Sequence, residues 1–208
     1  MAEGQVDGRA SRWEQHREAR RAELVAATAR AVDRHGPDVR VAEIAAEAGV
    51  SKPVLYRYFA DKDELHAAVG AWAADEILDA VLPALMDDGA TRERVERAVQ
   101  AYLRVIAEHH QVFLLLVRRR PGGNPLGDGK DRIAATVARI IANVLKQAGL
   151  DPSPATVWAH SLVGIGMNTG EWWLEQHAMP IETVAAQLAS FTWHAVSGAA
   201  AEVGLDLR

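Results

Sequence analysis

The chain has 208 residues, 49% of them hydrophobic and 25% charged, enough for a sizeable core in one domain or two small ones. The absence of cysteine excludes disulfides and thiolate metal sites and fits a cytoplasmic setting, and no apolar leader or membrane-length run is present, FLLLV at 113–117 being far too short. The net charge of −5 is uneven: residues 1–60 carry 10 Lys and Arg against 9 Asp and Glu, and residues 61–208 carry 13 against 19. An acidic C-terminal body discourages unspecific nucleic-acid contact and leaves any such contact to the N-terminal face.

Residues 1–15 are polar and read as a mobile arm. A first helix is expected from about Arg17 to His35, with Leu24, Ala27, Thr28, Ala31 and Val32 as its buried stripe and Gly36-Pro37 as its end. Arg17, Arg20 and Arg21 either reach phosphate or the minor groove, or simply solvate a helix face. The stretch VAEIAAEAGVSKPVLYRYFADKDEL, residues 41–65, then reads as helix, tight turn, helix, and the start of another helix. Val41, Ile44, Ala45 and Ala48 recur at helical spacing, and Gly49 can take the left-handed conformation that ends a helix. Ser51 is placed to cap the next helix, and Pro53 tolerates its first turn. Leu55 and Phe59 face inward, leaving Lys52, Tyr56 and Arg57 on other faces. The second helix, about Ser51–Phe59, is therefore short, basic and carries an exposed aromatic, as a helix entering a DNA major groove does.

Specific roles follow from these positions. Ser51, Lys52 and Pro53 lie at the end that meets base edges, and Lys52 suits a guanine edge or a phosphate. Tyr56, one turn along, places a hydroxyl on a phosphate. Lys62 opens the following helix, where backbone amides also attract phosphate. Arg40 precedes the first helix of the pair; it cannot cap it and is free to contact phosphate instead. The DNA-binding candidates are thus Arg40, Ser51, Lys52, Pro53, Tyr56, Arg57 and Lys62.

Further along, Asp61 and Glu64 form a capping-box pattern ahead of one or two long helices reaching Met86, with Pro83 near the end. Thr91 is expected to cap a helix striped by Val95, Val99, Tyr102, Leu103 and Ile106. His109-His110 interrupt it, and a short apolar segment ends at Arg118–Arg120. Adjacent histidines point about 100° apart on a helix, so they do not form a metal pair. The three arginines either bind an anionic ligand or complement the helix dipole. PGGNPLGDGK, residues 121–130, reads as a loop. A long helix follows to about Ala148, another begins after Asp151-Pro152-Ser153-Pro154, and Pro180 opens the last.

The run IAAEAGVSKPVLYRYFADKDEL resembles the DNA-binding signature of the TetR family of bacterial transcriptional regulators, over roughly residues 17–69. Arg40 departs from that pattern, since many members carry a capping threonine or serine there. The resemblance implies an all-α protein: an N-terminal three-helix helix-turn-helix domain, residues 16–62, then a larger ligand-binding and dimerisation domain, residues 63–208. It also implies that Ser51, Tyr56 and Lys62 contact DNA, that the last two helices form a two-fold homodimer, and that the C-terminal half holds a small-molecule pocket. Trp72, Tyr102, Phe113, Trp158, Met167, Asn168 and Trp172 are the pocket candidates, suited to a mostly apolar effector.

The expected function is a sequence-specific transcriptional regulator, a repressor released from a palindromic operator by its effector. It has no catalytic residues, metal or cofactor. The alternatives are a helical ligand-binding protein or enzyme without DNA binding, and an architectural DNA binder without an effector. No nucleophile–base pair or phosphate-cradling loop supports an enzyme.

Overall fold

A computed structural model describes the backbone of residues 8–117 and 127–207. Its elements are α1 (Gly8–His35), α2 (Val41–Glu47), α3 (Lys52–Leu55), α4 (Lys62–Met86), α5 (Thr91–Glu108), α6 (His110–Val117), α7 (Gly127–Gln147), α8 (Ala155–Gln176) and α9 (Ile181–Glu202). The described residues contain no strand, so the all-α expectation holds. None of these helices is long and apolar enough to cross a membrane.

Four boundaries differ from the sequence reading. The first helix starts at Gly8, so residues 8–15 are helical and not arm. The α-helical part of the expected Ser51–Phe59 helix is only Lys52–Leu55. The chain keeps coiling beyond it, with Phe59 N–H donating to Leu55 O at 3.2 Å. Ala90, not Thr91, occupies the N-cap of α5. Helix α7 begins at Gly127, inside the stretch read as loop, and Arg118–Arg120 with the rest of that loop lie outside the described residues.

The N-terminal unit closes around α1. Leu24, Ala31 and Val32 on α1 meet Ile44 of α2, Leu55 and Phe59 around α3, and Leu65 and Val69 of α4, all nearly inaccessible to solvent. Truncating a fully buried Phe such as Phe59 costs about 3–5 kcal/mol, a large part of the stability of a unit this small. The turn between α2 and α3 is fixed by Gly49 at φ +64°. Its N–H donates to Ala46 O at 3.1 Å, and the N–H of Val50 donates to Ala45 O at 2.9 Å. These two bonds form a Schellman close that satisfies the last carbonyls of α2.

Helix α4 carries the chain out of this unit without interruption. Asp61 caps it by accepting the N–H of Glu64 at 2.8 Å, while Glu64 accepts the N–H of Ala60 at 2.7 Å. The reciprocal pair is displaced by one residue from a capping box but still satisfies two amides. Pro83 falls in the last turn, and α4 ends three residues later.

In the C-terminal part α4 packs on α5 and α7, α7 on α8, and α5 on α9. Gly170 lets α8 approach α5: a Cβ there would lie 2.5 Å from the Tyr102 hydroxyl and 2.7 Å from Ile106 Cδ1.

A half-buried polar contact ties α1 to α6. Asp33, near the end of α1, accepts the N–H of Val112 at 3.3 Å through Oδ1. Its Oδ2 lies 2.9 Å from His109 Nδ1. Val112 is in the first turn of α6, so a carboxylate from another helix serves an amide that α6 itself cannot satisfy.

Candidate nucleic-acid interface and ligand cavity

Helix α3 presents its polar residues on one outward surface. Ser51, Lys52, Pro53, Tyr56 and Arg57 are all exposed, whereas Leu55 and Phe59 are buried beneath them. Tyr56 retains 48% of its surface, with its ring outside the core. Ser51 has the extended N-cap backbone, but its hydroxyl makes no capping bond, contrary to the sequence reading. That hydroxyl stays available to a partner.

Arg40 and Lys62, the other two candidates, are held differently. Arg40 is exposed and pairs through Nη2 with Glu43 at 2.8 Å. Glu43 also accepts the backbone N–H of Arg40 at 2.8 Å. A guanidinium has no acceptor to offer the helix amides, so only the glutamate half of a capping box operates here. The Arg40 guanidinium and backbone N–H together hold the Glu43 carboxyl at about 2, well below the usual carboxylate range. Lys62 is half-buried, and its Nζ donates to Val39 O at 3.0 Å. It therefore clasps the start of α4 to the segment ahead of α2.

The arginines of α1 are partly committed. Arg20 pairs with Glu23, and Arg21 with Glu64 at 3.1 Å while its guanidinium sits 4.7 Å above the Phe59 ring. Arg12 and Arg17 remain exposed.

The second candidate site is a cavity of about 480 Å³ among α4, α5, α7, α8 and α9. Such a volume suits a drug-sized molecule. Three of the expected pocket residues line it: Tyr102, Trp158 and Met167. The Tyr102 hydroxyl donates to Gly166 O at 2.9 Å, and burial pushes its phenol above the usual range, so it stays neutral.

The other four lie elsewhere. Trp72 and Phe113 border a separate small crevice beside His109, and the Trp72 and His109 rings meet edge-on at 4.9 Å. Asn168 and Trp172 face outward on the side of α8 that also carries Val157 and Gly164. Their spacing from Met167 placed them near the pocket in sequence, but one residue of helix turns the side chain by about 100°.

Sequence reasoning missed most of the wall. Ile77 and Val81 of α4, Ile140 and Ile141 of α7, and Val196 of α9 have the apolar helical spacing of a core stripe in the sequence, yet they face the cavity. Apolar periodicity marks an inward face without saying whether that face meets atoms or space. Arg94 was also missed, and it is the one charged side chain among the described lining residues.

A family model described as bacterial regulatory proteins of the tetR family matches residues 24–69, and one described as the tetracyclin repressor-like C-terminal domain matches residues 80–205. The chain belongs to the TetR family. It is 31% identical to an uncharacterized HTH-type transcriptional regulator of Mycobacterium tuberculosis H37Rv, over 93% of this chain and 84% of that one. It is likewise 31% identical to the HTH-type transcriptional activator FasR of Mycolicibacterium smegmatis, over 84% of this chain and 81% of that one. A TetR-family regulator of known structure from Streptomyces coelicolor superposes with a TM-score of 0.71 at 25% identity, covering 89% and 83% of the two chains. This TetR-family protein is accordingly a DNA-binding transcriptional regulator and not an enzyme. Among its described residues, no cluster of three or more His, Asp or Glu is placed to hold a metal ion.

Proposed function

We propose that this protein is a homodimeric cytoplasmic repressor that leaves a palindromic operator when a largely apolar small molecule enters the C-terminal cavity. The observation that carries the proposal is the continuity of α4. Lys62 at its first residue is one of the DNA-contact candidates, and Ile77, Val81 and Leu85 further along face the cavity. A ligand that shifts the far end of a stiff helix displaces the near end. Only differential affinity for the two conformers can drive that shift.

In this reading Ser51, Lys52 and Pro53 meet base edges, while Arg40, Tyr56, Arg57 and Lys62 meet phosphates. Domain limits near residues 16–62 and 63–208 fit this division, with α4 bridging them. The dimer forms through α8 and α9. Trp172 and Phe191 keep 38% and 63% of their surface, and Cβ atoms added at Gly164 and Gly198 would meet nothing within 4 Å. An exposed apolar face with room for close approach suits a two-fold helix interface. Such a dimer sets its two recognition helices about 34–36 Å apart, to match successive major grooves.

The test is selection of binding sites from random duplex DNA by the wild type and by Tyr56→Ala side by side. The expected result is a palindrome with half-sites about one helical turn apart, absent for the variant. A well-folded dimer that enriches no sequence would overturn the reading. The sign of regulation is read with a promoter–reporter fusion; reporter output that rises with the protein, as with the activator FasR, sinks the repressor part alone.

A further inference from the structure

Arg94 is out of place in its surroundings. It lies on α5 among aliphatic cavity walls, and its Nε, like that of Arg97, is buried with no hydrogen-bond partner among the described residues; what sets Arg94 apart is the lack of an acid. The guanidinium makes one long bond, Nη2 to Thr91 Oγ at 3.4 Å, and Thr91 also faces the cavity. The nearby acids are committed to other arginines. Arg92 holds Glu96 at 3.0 Å, and Arg97 holds Asp87 at 3.3 Å and Glu93 at 3.9 Å. Of the three arginines in the first half of α5, Arg94 alone has no carboxylate within ion-pair distance among the described residues. Arg94 is half-buried, and a partly desolvated cation without a counter-charge carries a cost that an anion brought by a ligand offsets. A guanidinium also matches a carboxylate through two parallel N–H donors.

Building on the cavity as the effector site, we infer that the effector is an amphiphilic organic acid, whose aliphatic body fills the cavity and whose carboxylate is received by Arg94 and Thr91. Most of the cavity wall is hydrocarbon, including Leu85 of α4, Val95 of α5, and Val137 and Ile141 of α7. The cavity therefore rewards chain length, and Arg94 rewards charge at one end.

The test uses decanoate and 1-decanol, which share an aliphatic body and differ in the terminus. Both are titrated calorimetrically into the full-length wild type, Arg94→Met and Arg94→Lys, below the concentrations at which the ligands self-associate. The expected result is decanoate binding about ten-fold or more tighter than 1-decanol to the wild type, as a charge-assisted bond implies. Arg94→Met should abolish the preference while keeping the alcohol's affinity, and Arg94→Lys should restore part of it. A change in selectivity at unchanged alcohol affinity is something a misfolded or merely loosened variant does not give. Equal affinity for the two ligands, or a preference unaffected by Arg94→Met, overturns the inference and leaves the cavity's role in place. Binding of neither ligand overturns both. Arg94-dependent decanoate binding without any change in operator affinity upholds the acid site and overturns the effector reading of the cavity.

Discussion

Tyr56 and Lys62 look alike as DNA-contact candidates in the sequence, yet the fold uses them differently. Tyr56 is nearly half exposed, so Tyr56→Ala should leave the melting temperature almost unchanged while weakening operator binding roughly ten-fold, measured by fluorescence anisotropy at fixed salt. Lys62 also donates to Val39 O, and Lys62→Met should cost about 1 kcal/mol of stability in denaturant titration in addition to its effect on DNA. A Lys62→Met variant as stable as the wild type would show that the Val39 bond contributes nothing. His109 gives a pH prediction. Its hydrogen bond to the Asp33 carboxylate, with smaller help from that charge, outweighs partial burial and raises its pKa. A raised histidine stabilises the fold fully below its unfolded value near 6.5 and loses that contribution as pH climbs through the folded value. The melting temperature of the wild type relative to Asp33→Asn should therefore shrink between pH 6 and pH 8, whereas a constant difference would assign Asp33 to the Val112 amide alone.

At the scale of the elements, capping chemistry was legible and crossing contacts were not. Gly49, Asp61 and Pro180 each mark an end that the structure places within a residue of the expected position, because caps act through bonds between near neighbours in sequence. Glycines on helix faces carry no such local signal. Gly164, Gly166 and Gly170 lie within two turns of α8 and look alike in sequence, but they split: the first faces open space, and the other two face Tyr102. Gly170→Ala should destabilise by about 1–3 kcal/mol, since its methyl overlaps Tyr102 and Ile106, whereas Gly198→Ala should leave the isolated fold unharmed. Chemical denaturation of the two variants decides this, and equal stability would mean that α5 and α8 yield more easily than packed helices do.

At the scale of the whole molecule, three surfaces share helices. The exposed α3 surface meets the cavity through α4, and the α1–α6 junction at Asp33 gives a second link between the two parts. The outward face of α8 and α9 sets the spacing of recognition helices in the proposed dimer. Phe191→Glu should convert that dimer to monomer in sedimentation velocity, with helical content retained and palindrome binding lost. A dimer that survives the substitution would move the interface away from α9. Charge follows the same division: the α3 surface sits on the part of the chain whose basic and acidic residues nearly balance, and the acidic excess lies in the remainder. Non-specific DNA affinity should therefore stay modest and fall steeply with salt.

The helical class, the helix-turn-helix with its exposed Lys52, Tyr56 and Arg57, and most helix ends were legible in the residues alone. All of these depend on periodicity, caps and turn residues within a few positions of each other. Tertiary structure alone decided which apolar faces meet across α4, α5, α7, α8 and α9 and which leave a cavity between them. It turned Asn168 and Trp172 outward, moved Trp72 and Phe113 to a separate crevice, and set Arg94 against hydrocarbon with no acid in reach among the described residues. The physical reason is that a helix face has the same apolar signature whether it meets a partner or a void, and the difference lies in contacts between residues far apart in the chain.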